Sequence, residues 1–162
     1  MTEEEKRQHR VCFTGHRPEK LTRPEEDIKK DLEKEIRLKV SDGMNVFISG
    51  MARGVDIWAA QIVLKLKDEG HDVKLICASP YVGFENKWSE SWKKQYADIL
   101  ESADLVKYIC PKFSYPSFKK RNKWMVDRAS SVIAVYNGEK SGTKNTVDYA
   151  VKNGVSVTYI DG

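Results

Sequence analysis

The feature that most constrains this chain is a regular alternation of two hydrophobic periods. Short apolar runs occur at Arg10–Thr14 (RVCFT), Asn45–Ser49 (NVFIS), Val73–Ala78 (VKLICA), Leu105–Ile109, Val132–Tyr136 (VIAVY) and Val155–Ile160. Between them the apolar residues recur every three or four positions. Ile28, Leu32, Ile36 and Val40 form one such stripe; Val55, Trp58, Ala59, Ile62, Val63 and Leu66 form another. Trp88 to Ala103, Phe118 to Ala129 and Thr143 to Asn153 continue the series. Strand-length runs separated by amphipathic helices require a parallel sheet covered on both faces, joined by right-handed crossovers. The expectation is one α/β domain over residues 1–162, with a mainly parallel sheet of about six strands. Residues 1–9 read as a flexible tail. Thr22, Pro24 and Glu25 read as a capping box that opens the first long helix.

The balance of 40% hydrophobic and 32% charged residues is that of an ordinary globular chain. No apolar run approaches the roughly 20 residues of a membrane span. The opening MTEEEKRQHR is charged and has no apolar core of a signal peptide, so a cytoplasmic location is expected. Cys12, Cys77 and Cys110 are widely spaced and odd in number, which argues against a disulfide framework or a zinc site. The net charge of +4 is weak evidence for a polyanionic partner, but its distribution is more telling. Between Leu105 and Val126 there is no acid, while Lys107, Lys112, Lys119, Lys120, Arg121 and Lys123 alternate with aromatic residues. Bases with interleaved aromatics can hold phosphates and stack bases; a solvated helix face is the competing reading.

In parallel sheets ligands bind beyond the carboxyl ends of the strands. Five loops therefore share one rim: Gly15–Leu21, Gly50–Asp56, Ser79–Lys87, Cys110–Ser117 and Asn137–Thr146. In the first, Gly15 permits a tight exit, Arg17 can pair with a phosphate or carboxylate, and His16 can serve as acid, base or donor. In the second, Gly50 and Gly54 bracket Met51-Ala52-Arg53 ahead of a helix start, an arrangement suited to an anion. Asp56 there reads best as a cap. In the last, Ser141, Gly142, Thr143 and Thr146 stand between a strand and a helix, as a second cradle or as a turn with an N-cap.

TGHRPEKL, SGMARGVD, KWSE, RNKWMVDR and SGTKNT together resemble the SLOG superfamily, which unites LOG-type nucleotide hydrolases with the DprA/Smf DNA-processing proteins. The set is most similar to the small YpsA-like branch, over about Val11 to Ile160. The resemblance implies a Rossmann-like fold and a site for a nucleotide or nucleotide-derived ligand. Met125-Val126-Asp127-Arg128 is similar to the Met-x-x-Arg motif of LOG-like hydrolases. Gly142-Thr143-Lys144-Asn145-Thr146 is similar to their second motif in part, with Thr146 where the catalytic Glu belongs. A threonine hydroxyl is no carboxylate base at neutral pH, which counts against hydrolysis by that route; Glu139 and Asp148 are the nearby substitutes. Ser49 through Asp56 is close to the Ser-Gly-x-Ala-x-Gly-Ile-Asp loop of DprA-like proteins.

The expected ligand-binding set is thus Gly15, His16, Arg17, Gly50, Arg53, Gly54, Arg128, Ser141, Gly142, Thr143 and Thr146, with no catalytic residue and no metal ligand assigned. The ligands in view are NAD, ADP-ribose and nucleoside monophosphates. Binding of single-stranded DNA is the alternative, with Lys119, Lys120, Arg121 and Lys123 as its phosphate contacts, and a LOG-like N-glycosidase is the second alternative. The resemblance also implies a homodimer.

Overall fold

The six apolar runs pair side by side, the central ones almost wholly buried and those at the two edges largely not. The computed structural model describes residues 1–162. Its strands are β1 (Arg10–Gly15), β2 (Val46–Ser49), β3 (Lys74–Tyr81), β4 (Leu105–Cys110), β5 (Ser131–Tyr136) and β6 (Ser156–Asp161). They form one parallel sheet in the order β4-β3-β2-β1-β5-β6. The helices are α1 (Glu3–Arg7), α2 (Glu25–Ser41), α3 (Val55–Asp68), α4 (Glu90–Ser102), α5 (Ser117–Asp127) and α6 (Gly142–Lys152). This is the expected α/β Rossmann-like architecture. No helix is long and apolar enough to cross a membrane.

Two hydrophobic cores follow from the alternation of side chains along each strand. Val11 and Phe13 of β1 face α2, α3 and α4, where Ile28, Leu32, Ile36, Trp58, Val63, Leu66 and Tyr96 pack. Cys12 faces the other way, into a smaller core with Met125 and Val126 of α5 and Val147 and Ala150 of α6. β4 lies at the sheet edge, with Leu105, Lys107 and Tyr108 exposed. That explains its mixed polar sequence.

From β1 the chain steps outward to β4, and α5 then returns it to β5, beside β1. Strand order reverses between β1 and β5, the switch point beside which ligands bind in open α/β sheets. The loops after β2, β3 and β4 continue the same rim.

Three local expectations are corrected. β3 extends to Tyr81, so Ser79 and Pro80 belong to the strand, not to the rim loop. Pairing with β4 through Tyr81 and Cys110 draws it out, and Pro80 lies beyond the last β2 partner, Cys77, where its missing N–H costs no bond to β2. The Thr22 capping box does not form: Pro24 is the N-cap of α2 and makes no side-chain bond, while Thr22 Oγ1 donates to Gly162 O at 2.7 Å. The first nine residues carry α1, whose Arg7 donates to Ala129 O at 2.9 Å.

Candidate functional site

The loop SGMARGVD is held in shape by its own side chains. Ser49 Oγ donates to Asp56 O at 2.8 Å and accepts from Met51 N at 3.2 Å. Asp56 Oδ2 accepts from Ala52 N at 3.2 Å. Asp56 therefore caps the turn that precedes α3, in keeping with its reading as a cap. Met51 takes a φ of 64°, a left-handed conformation uncommon for a side chain of its kind, and is completely buried. Gly54 follows at φ 92°, and a Cβ built there would come within 2.9 Å of Pro18 Cδ. Its freedom thus serves the packing of the β1 loop on the β2 loop. Gly15 serves a similar end, since a Cβ there would overlap the Val55 side chain.

Gly50 has a different neighbour. A Cβ on it would lie 2.9 Å from Asp56 Oδ2 and 3.0 Å from Arg121 Nη1. Arg121 projects from α5 into this space and donates through Nη1 to Gly50 O and through Nε to Asn122 Oδ1 at 2.7 Å. It is buried, not the exposed phosphate contact expected of it. The helical register explains this: Ser117, Arg121 and Met125 are four apart and lie on the buried face of α5. Asp56 and Arg121 make no direct ion pair. Burial raises the Asp56 carboxyl from 3.8 to about 6, against the lowering influence of Arg121 and the Ala52 N–H. Burial likewise lowers the pKa of Arg121; Asp56 opposes this and the charge of Arg17 adds to it. Asp56 Oδ1 is buried without a hydrogen-bond partner.

At the switch point between β1 and β5, His16 is buried and its Nε2 accepts from Asn137 N at 3.1 Å. Its ring leans on Tyr136 with centroids 5.4 Å apart. Burial pushes its pKa down, against weaker raising influences from Glu139 and Asn137. A neutral imidazole whose Nε2 lone pair is engaged is a clasp between the β1 and β5 loops; the acid–base role weighed for it has no free atom at Nε2. Arg17, next in sequence, is exposed, and its guanidinium makes neither an ion pair nor a hydrogen bond with the chain. Arg53 is held by Glu19 at 2.6 Å.

Arg17, Ala52 and Arg53 form one side of a cleft of about 960 Å³. Tyr81, Phe84, Lys87, Trp88, Trp92, Phe113 and Phe118 supply most of the rest, with no acid among the lining residues. The aromatics brace one another: Phe84 meets Trp88 at 5.0 Å, and Tyr81 meets Phe113 at 5.4 Å and Phe118 at 6.0 Å. Tyr81, Phe84, Lys87 and Trp88 are not among the expected ligand contacts, although Lys87 and Trp88 belong to the KWSE motif of the resemblance. The available signal was the density of aromatics (Tyr81, Phe84, Trp88) at the end of a strand and in the rim loop after it.

The α6 start is ordinary in its capping. Ser141 Oγ accepts from Lys144 N at 3.3 Å, and Thr146 Oγ1 donates to Gly142 O at 2.9 Å. Thr143 and Thr146 are buried, while the face of Gly142 is open, with nothing within 4 Å of a built Cβ. These residues lie on the rim but not in the aromatic cleft. Of the two substitute carboxylates, Glu139 is exposed and Asp148 is paired with Lys144 at 2.6 Å; neither lines the cleft. No group of three His, Cys, Asp or Glu side chains is placed to hold a metal ion.

Arg128 is not part of the rim. It is the C-cap of α5, lies 4.3 Å from the Trp124 ring centroid, and donates to Trp124 O at 3.2 Å. Its carbonyl accepts from Arg10 at the first residue of β1. It therefore sits at the opposite end of the sheet, roughly a strand length or about 17–20 Å from the loops it was grouped with.

Two solved structures share the fold. DNA processing protein A from Streptococcus pneumoniae superposes with a TM-score of 0.68 at 20% identity, covering 96% of this chain and 51% of that one. The chain thus spans about half the length of that protein. DNA processing protein A from Helicobacter pylori gives a TM-score of 0.67 at 21% identity, covering 98% of this chain and 67% of that one. Among sequences, a UPF0398 protein of Bacillus cereus (strain G9842) is 34% identical over 159 residues, covering 92% of this chain and 86% of its own length. A UPF0398 protein of Bacillus thuringiensis (strain Al Hakam) matches to the same extent. Residues 11–160 match the family described as the YspA SLOG family, and the chain belongs to that family.

Proposed function

We propose that the cleft behind Arg17 binds a nucleotide-like small ligand and that the protein acts by binding it. One observation carries this reading: an arginine free of any partner faces a cleft walled by aromatic rings and free of acids. A guanidinium takes a phosphate by paired hydrogen bonds, and aromatic walls take a base or a similar planar ring. Membership of the SLOG family supports a nucleotide-related ligand. The absence of a carboxylate from the lining residues, with Thr146 buried and bonded to Gly142 O, speaks for binding over ribosyl hydrolysis.

The test is a thermal-shift screen with nucleoside monophosphates, NAD and ADP-ribose, repeated on Arg17→Ala. At least one of these should stabilise the parent, and Arg17→Ala should weaken its binding by about tenfold or more, the scale of a lost charge-assisted pair. Equal stabilisation of parent and variant would remove Arg17 from the site.

A second reading is single-stranded DNA binding. The Helicobacter pylori structure is described in terms of its single-stranded DNA binding mode. Here Phe113 and Tyr115 stand exposed in the loop that leads to Lys119 and Lys120. The dependence of binding on salt separates the two readings.

A further inference from the structure

Beside the aromatic cleft lies a second one, of about 560 Å³, between α5 and α6. Tyr115, Phe118, Lys119, Lys123, Asn145 and Lys152 are among its lining residues, and Phe118 lines both clefts. We propose that the two clefts form one bipartite site and that its ligand is a phosphate-linked dinucleotide, with one nucleotide unit seated in each. This rests on the nucleotide reading of the first cleft.

A ridge of rings joins the two. Phe113, a wall of the first cleft, meets Tyr115 at 5.2 Å and Phe118 at 6.5 Å, edge to face in both cases. Tyr115 is 88% exposed and Phe113 is 50% exposed, so their faces are left uncovered by the chain itself. Each cleft also has its own unengaged cations. Arg17 and Lys87 serve the first; Lys119 and Lys152, which make no ion pair or hydrogen bond, serve the second. Lys123 lies 5.4 Å from the Tyr149 ring centroid in the same wall. The acid of the second cleft, Asp148, is already neutralised by Lys144 at 2.6 Å. A ring face with a free cation beside it is what one nucleotide unit needs, a base to stack and a phosphate to neutralise. The pattern occurs twice, side by side, with a shared phenyl ring between.

The pattern also stops there. The groove along α3 and α4 presents Asp68, and the groove between α2 and β6 presents Glu35 and Asp161, carboxylates that no side chain pairs; Glu69, Asp98 and Asp31 there are paired with Arg37, Lys94 and Arg23. The unpaired carboxylates would repel further phosphates. The surface therefore fits two units better than a long strand.

The experiment measures binding of AMP, of 5′-phosphorylated diadenylate and of a long oligodeoxyadenylate to the full chain. Parent protein is compared with Arg17→Ala, Tyr115→Ala and the double variant Lys119→Ala/Lys152→Ala; the last two alter only exposed side chains. Diadenylate should bind the parent about tenfold or more tightly than AMP, because the second unit is tethered at high effective concentration. Tyr115→Ala and the lysine variant should bring diadenylate down to the affinity of AMP and leave the AMP binding that depends on Arg17 in place. Arg17→Ala should weaken both. Equal affinity of AMP and diadenylate for the parent, or no effect of the second-cleft variants, overturns the bipartite site while the first cleft stands on its AMP binding. Preference for the long oligonucleotide overturns it in favour of a strand. Failure of both AMP and diadenylate to bind overturns the nucleotide reading with it.

Discussion

Asp56 shows how a single side chain is made both structural and costly. It caps the Ala52 N–H, yet its Oδ1 has no partner and its nearest positive charge, Arg121, is out of ion-pairing range. Its carboxyl is raised from 3.8 to about 6 in the folded protein. Below pH 3.8 the group is protonated in both folded and unfolded chains and costs nothing. As pH rises through this window the unfolded chain gives up the proton first, so stability falls, and above pH 6 the full penalty applies. A shift of about two units corresponds to about 3 kcal/mol. Asp56→Asn should therefore flatten the change in stability between pH 4 and pH 7 that the parent shows at this site. Urea denaturation of both proteins across that range is the check; an unchanged difference between the two at every pH would assign the slope to other groups.

At the scale of elements, α5 does two jobs with its two faces. Ser117, Arg121, Met125 and Val126 are buried against the sheet, while Lys119, Lys120 and Lys123 face outward. The four bases of α5 thus divide into one internal strut and three surface charges. Arg121→Met should cost about 1–3 kcal/mol, because it leaves Gly50 O without its donor and removes the cation that lowers the Asp56 carboxyl. Lys119→Ala and Lys120→Ala should each stay within about 0.5 kcal/mol of the parent. Chemical denaturation of the three variants measures this, and a mild Arg121→Met would mean that Asp56 is carried without that arginine. The same helix explains the displacement of Arg128. Two turns separate it from Arg121, which places one arginine near the rim and the other at the far end of the sheet.

For the whole molecule, topology decides which loops can cooperate. At the reversal between β1 and β5 His16 bridges the two loops through Asn137, and the step outward to β4 sets the aromatic wall of the β3 and β4 loops against the loop of β2. Cations and rings gather there, and carboxylates do not. Nucleoside monophosphates incubated with the protein should accordingly release no base, as followed by chromatography. Binding of a small nucleotide should also depend little on salt, whereas a single strand would show a log–log slope of roughly 0.7 per phosphate contacted. Base release would require a carboxylate reaching the cleft from outside its present walls.

The sequence by itself determined the order of elements, their approximate ends, the parallel sheet and the rim on which the loops gather. These follow from hydrophobic period and from glycine, which act over a few residues and so can be read along the chain. It also pointed to Arg17. What only the tertiary structure decided is which side chains meet. Gly54 proved to face Pro18, His16 to spend its Nε2 on a backbone amide, Arg121 to turn inward and Arg128 to stand at the opposite end. Tyr81, Phe84, Trp88, Phe113 and Phe118 are spread over two loops and the strand and helix beside them, yet close one cleft. Each of these outcomes depends on which elements are neighbours in space, and that is fixed by sheet order and helix facing. Local periodicity shows which face of a helix is buried but not what that face meets, because the same alternation of strands and helices is compatible with several strand orders.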